Sequence, residues 1–128
     1  MEAQASSEPQ QQAVESLAVS LPEMNQLAEF CPQYHHAMEI IGKKWMGSIL
    51  RVLMHGTHRY NEILLAIPGI SDRLLTERLR DLEAEGLVVR HIASTSPVRV
   101  EYELTEAGRE LDLAVRVISM WAVKWLPA

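Results

Sequence analysis

The 128-residue sequence predicts a mainly helical α+β fold: four short helices, a β-hairpin and a long closing helix. Three observations carry that reading. Apolar residues recur at helical spacing from Tyr34 to Leu82, and glycine and proline break the series into separate segments. Between Leu87 and Leu104 the period changes to two. After Thr105 a final helical stretch is apolar over more than the single stripe that a surface helix needs.

Residues 1–12 are polar and aperiodic and read as a tail. Val14, Leu17, Ala18 and Leu21 stand at helical spacing ahead of Pro22. Residues 1–30 therefore read as an acidic, partly disordered extension, carrying either a short amphipathic helix or a weakly ordered segment. The domain proper is expected over 31–128. Tyr34, Ala37, Met38 and Ile41 give a helix that Gly42 stops, and Trp45, Ile49, Val52 and Leu53 a second that ends at His55-Gly56. Tyr60, Ile63, Leu64 and Ile67 give a third, closed by Pro68-Gly69. The fourth is the best punctuated: Ser71 is its N-cap, and Ile70 and Leu75 occupy the positions of a hydrophobic staple. Gly86 suits the left-handed C′ position, with Leu87 folding back on Leu82. Leu87–Ile92 then reads as a strand, 93–97 as a turn and Val98–Leu104 as the return, with Val98, Val100, Tyr102 and Leu104 on one face. Thr105 caps the last helix, Glu106 to about Leu126.

Composition removes several functions. An apolar fraction of 48% supplies a core, and one cysteine excludes an intrachain disulfide and any multi-cysteine metal site. No apolar run spans a bilayer and no signal peptide is visible, so a cytoplasmic protein with no membrane partner is expected. No Ser-His-Asp order, Gly-rich phosphate loop or paired catalytic carboxylates stand out, so no enzyme and no cofactor are expected. Cys31 with His35, and His55 with His58, have ligand-like spacing, but nothing closes a four-ligand set. The net charge of −5 hides an asymmetry. Residues 1–30 hold five acids and no Lys or Arg, whereas 43–99 hold nine bases against six acids. A basic centre permits a polyanionic partner.

Two helices joined by the turn Pro68-Gly69-Ile70-Ser71, followed by a hairpin, form a helix-turn-helix with a β-wing. With Leu75, Leu79 and Leu82 turned inward, the fourth helix shows Arg73, Thr76, Glu77, Arg80 and Ala84. A guanidinium bonds the O6/N7 edge of guanine, a threonine methyl touches thymine, and a helix N-terminus favours phosphate. Ser71, Arg73, Thr76 and Arg80 are thus the expected readers of double-stranded DNA, with Arg99 on the wing. A solvated helix face and a plain hairpin are the alternatives.

The run Cys31-Pro32 … Ile41-Gly42-Lys43-Lys44-Trp45 … Arg59-Tyr60-Asn61-Glu62-Ile63 … Pro68-Gly69-Ile70-Ser71 … Leu75-Thr76-Glu77-Arg78-Leu79-Arg80-Asp81-Leu82-Glu83 … Gly86-Leu87-Val88 … Pro97-Val98-Arg99-Val100-Glu101-Tyr102-Glu103-Leu104-Thr105 … Gly108 resembles the HxlR-type branch of MarR-like winged-helix transcription regulators. The resemblance covers about residues 31–126. It implies a homodimer that binds operator DNA and regulates nearby genes. Repression is the expected sign, since a small dimer most simply occludes polymerase. The rival reading is a metal- or ligand-binding module, or a protein–protein adaptor, on the same fold without DNA contact.

The last helix fits a dimer on its own physics. Leu111, Ala114, Ile118, Trp121 and Trp125 line one stripe, and Leu113, Val117 and Met120 a neighbouring one. A domain of this size has little core left to cover both, so a second copy is the expected cover, with a helix simply buried in its own domain as the alternative. Cys31 is the one candidate for reactive chemistry. Pro32 suits the first helical position, which makes Cys31 the N-cap, where the helix dipole favours a thiolate. His35 and His36 are expected to help when protonated, and Glu29 to oppose them. The resemblance implies that a cysteine at such a Cys-Pro position senses oxidants, quinones or aldehydes; a simple cap is the alternative.

Overall fold

The computed structural model describes residues 30–93 and 97–128. The expected helix at 14–21 and the wing-tip residues Ser94, Thr95 and Ser96 lie outside them. Two compact units divide the chain, residues 1–42 and 43–128.

In the first unit, α1 spans Pro32–Ile41. Pro32 fits the start because its fixed φ is helical and its missing N–H has no partner to lose there. Cys31, extended at φ −114°, caps the helix as the sequence predicts, and its sulfur accepts from the Tyr34 N–H. Gly42 ends it in a right-handed conformation, its N–H 2.8 Å from the Met38 carbonyl.

The second unit contains α2 (Met46–Leu53), β1 (His58–Arg59), α3 (Tyr60–Ala66), α4 (Asp72–Ala84), β2 (Val88–Ala93), β3 (Arg99–Leu104) and α5 (Glu106–Trp125). Its core is Met46, Ile49, Leu50 and Leu53 of α2, Ile63 of α3, Leu75, Leu79 and Leu82 of α4, and Val88, Tyr102, Leu104 and Val115. Each aliphatic side chain buried this fully contributes roughly 2 kcal/mol. The predicted inner stripe of α4 is therefore the inner stripe.

Both ends of α4 follow their sequence signals. Ser71 Oγ accepts from the Leu74 N–H, and Ile70 and Leu75 are both buried. At the other end Gly86 takes φ +73°, its N–H reaches the Glu83 carbonyl at 3.0 Å, and the Leu87 N–H reaches Leu82 at 2.9 Å. These are the paired bonds of a Schellman ending. The start of α5 locks onto this end. Thr105 donates its N–H to the Leu87 carbonyl at 3.0 Å and its hydroxyl to Gly86 at 2.6 Å, while Oγ1 accepts from Gly108.

Two elements differ from expectation. Trp45, expected in the apolar stripe of the second helix, is instead the N-cap of α2, in the left-handed region at φ 72°. Helical spacing alone cannot reveal that reversal. The predicted two-stranded wing is present, with Val88 opposite Leu104 and Ala93 opposite Arg99. A third strand, β1, joins it on the far side of β3, pairing His58 with Tyr102 and Arg59 with Glu101. Two residues are too few to show alternation in a sequence.

Candidate nucleic-acid interface

The turn between α3 and α4 needs a glycine. Gly69 sits at φ +92°, where any side chain is strained, and its open side faces the Trp45 ring. A second tie fixes the angle between the helices. The Tyr60 hydroxyl lies 2.9 Å from both the carbonyl and a carboxylate oxygen of Asp72, and 3.1 Å from Thr76 Oγ1. Its one proton goes to Asp72, so the Thr76 hydroxyl donates to it. Burial, reinforced by the Asp72 carboxylate, holds the phenol above its usual pKa, and the Thr76 bond offsets part of this. In the sequence Tyr60 reads as one more stripe residue. Its partners lie 12 and 16 positions away, so only the turn geometry brings them together.

Of the expected readers, Ser71, Arg73 and Arg80 are exposed and Thr76 is half-buried. With Oγ1 committed to Tyr60, the methyl group is the part of Thr76 left for a partner. Arg99 is exposed at the start of β3.

Lys44 lies over the Trp45 ring, and the other eight central bases divide into two sets. Arg78 donates to the Lys44 carbonyl at 2.9 Å and pairs with Asp81 at 3.1 Å, and Lys43 meets the same carboxylate at 3.2 Å. Arg90 pairs with Glu83 at 3.6 Å, and Arg51 donates to Ser119 at 2.7 Å. These hold the fold. Arg59, Arg73, Arg80 and Arg99 have no carboxylate within ion-pair distance among the described residues. They stand before α3, on the outer face of α4 and at the base of the wing. Sequence reasoning found three of these four; Arg59 emerges only once β1 is seen beside β3.

Elsewhere on the wing, Glu103 accepts from Thr57 at 3.1 Å and meets His91 at 3.3 Å, bonds that hold its carboxyl below the usual range. In the first unit, Cys31 Sγ accepts from the Tyr34 N–H at 3.4 Å and donates toward Gln33 Oε1 at 3.5 Å. His35 Nε2 turns to Glu39 at 3.5 Å, and its ring tilts against Phe30. On α5, Ala114, Ile118, Trp121 and Trp125 are exposed and Leu111 is half-buried, while Val117 and Met120 of the neighbouring stripe are also exposed. Among the described residues no cluster of three or more His, Cys, Asp or Glu could hold a metal, and no helix is long and apolar enough to cross a membrane.

Known proteins share this arrangement. The family described as HxlR-like helix-turn-helix matches residues 40–128. The uncharacterized HTH-type transcriptional regulator YvaP of Bacillus subtilis is 43% identical over 103 residues, covering 80% of this chain and 94% of that one. The reduced form of the B. subtilis regulator YodB superposes with a TM-score of 0.69 at 39% identity, covering 76% of this chain and 95% of that one. The redox regulator HypR in its oxidized form gives 0.71 at 37% identity, covering 77% and 100%. These relatives are transcriptional regulators, not enzymes. The chain belongs to the HxlR-like helix-turn-helix family of DNA-binding transcriptional regulators.

Proposed function

We propose that this chain is a homodimeric, sequence-specific repressor that inserts α4 into the major groove of operator DNA. One observation carries the reading: Arg73 and Arg80 lie two turns apart on the exposed face of α4, and among the described residues no carboxylate lies within ion-pair distance of either. Unpaired guanidinium groups on that face suit guanine edges, and Thr76 presents its methyl beside them for thymine. Ser71, at the helix N-terminus, and Arg99, on the wing, suit phosphate. Occupying the operator blocks polymerase without a further contact, which favours repression. The second copy docks through Leu111, Ala114, Ile118, Trp121 and Trp125. HypR is a redox regulator, and YodB has been solved in reduced, diamide-treated and quinone-bound forms; these relatives support Cys31 as the point where an oxidant or electrophile acts.

A mobility shift on the region upstream of its own gene tests the DNA reading. Arg73→Ala and Arg80→Ala should each cost about 1–3 kcal/mol on operator and relax base preference. Arg99→Ala should weaken all sequences alike. The half-sites should form an inverted repeat spaced by whole helical turns. If the wild type binds no duplex at low salt, the rival reading as a metal- or ligand-binding module, or an adaptor, takes its place.

A further inference from the structure

A shallow groove of about 450 Å³ runs between the start of α3 and the start of β3, with Arg59, Asn61, Glu62, Pro97, Val98 and Arg99 on its walls. The pairing of β1 with β3 builds it. Arg59 stands opposite Glu101, and Arg99 lies two residues before Glu101 on the same strand, hence on the same face. Diagonal neighbours of this kind sit about 7–8 Å apart, a span that two guanidinium groups can close around a single tetrahedral anion. Both arginines are exposed. Two acids lie close by. Glu62 turns Oε1 onto the Arg59 backbone N–H at 2.8 Å, closing the first turn of α3, and half-buried Glu101 stands directly across from Arg59, two residues past Arg99 on β3. The adjacent Tyr60, bonded to Asp72, holds this groove at a fixed offset from the first turn of α4.

We propose that the groove grips one backbone phosphate of the bound duplex, with Arg59 and Arg99 as its two prongs and Asn61 as a neutral donor. This rests on the DNA-binding reading. The phosphate contact sets the depth of α4 in the major groove and carries no sequence information itself.

Fluorescence anisotropy against a random-sequence duplex, across a salt series, tests it. Arg59→Ala lowers affinity about tenfold, and reduces the slope of log K against log salt by about 0.9. It weakens operator and random duplex equally, and Arg59→Lys restores the slope. Because both prongs hold the same phosphate, the Arg59→Ala/Arg99→Ala double variant loses that single increment and not two. Methylphosphonate scanning along the duplex finds one position where the wild type loses affinity and the double variant does not. An unchanged slope in Arg59→Ala, or two full increments lost in the double variant, overturns the shared grip. If Arg73→Ala and Arg80→Ala weaken operator binding while Arg59→Ala is silent, the groove fails and the DNA reading stands. A wild type that binds no duplex overturns both.

Discussion

Cys31, Ser71 and Thr105 cap three helices in the same way, each accepting a backbone N–H three residues on. The chemistry differs. Sulfur is a weak acceptor, and its bond to Tyr34 is 3.4 Å against 3.2 Å for Ser71 and for Thr105. A serine would cap α1 at least as well, so the cap itself does not require a thiol. Cys31→Ser is therefore a clean probe: it keeps the cap and removes the nucleophile. The variant should melt no lower than the wild type and bind operator normally. Diamide should release wild-type DNA, taking two electrons and two protons as Cys31 of each protomer joins its counterpart in a disulfide, and should leave Cys31→Ser bound. Such a bridge requires the two Cα atoms within about 7 Å. A diamide response that survives the serine substitution would remove Cys31 from the mechanism. At this scale the sequence was readable wherever the cause is local. Caps depend on three or four consecutive residues, so Cys31, Ser71 and Thr105 were legible. Tyr60, whose hydroxyl partners arrive from another helix, was not.

At the scale of elements, α4 was legible from end to end because its cap, stripe and Schellman ending lie within one stretch of sequence. The strand β1 and the left-handed Trp45 were not: the first exists only through its partner β3, and helical spacing does not report a residue's φ. The junction of α4, β2 and α5 illustrates how such packing decides a residue. Gly108 is buried in the first turn of α5, and a Cβ there would collide with the Leu87 carbonyl and press on the Leu104 side chain. Backbone cannot step aside as a flexible side chain can. Gly108→Ala should therefore destabilise by about 1–3 kcal/mol, despite alanine being the better helix former. Gly47, inside α2, is the control, since a Cβ there meets nothing within 4 Å. Gly47→Ala should stabilise by about 0.5–1 kcal/mol. Urea unfolding of the two variants reads the signs directly. Equal shifts would mean that the start of α5 slides to make room, and that the Thr105 bonds to Gly86 and Leu87 do not fix it.

For the whole molecule, the decisive feature is how much of α5 one chain leaves uncovered. Ile118 is 49% exposed, Trp121 56% and Trp125 65%, and they share an 80° stripe with Ala114 and Leu111 at about 100° per residue. Val117 and Met120, at 57% and 67%, widen the apolar surface. Only Gly108 and Val115 of this 20-residue helix are fully buried. A helix serving one domain needs one apolar stripe, and the proposed second copy would cover the other. A carboxylate introduced at that proposed seam would be buried without a partner, which is far costlier than its exposure on a free helix. Trp121→Glu and Ile118→Glu should therefore shift the protein to monomer in light scattering while each chain keeps its far-UV dichroism. Operator affinity should fall with the dimer, because a monomer engages one half-site and loses the gain of the second contact. The salt slope should fall by about half, as half the phosphates are contacted. If both variants remain dimers of unchanged affinity, the seam lies elsewhere, with the 14–21 segment next to be cut. If they become monomers but bind operator as before, α5 pairs the chains without setting the spacing of the two recognition helices.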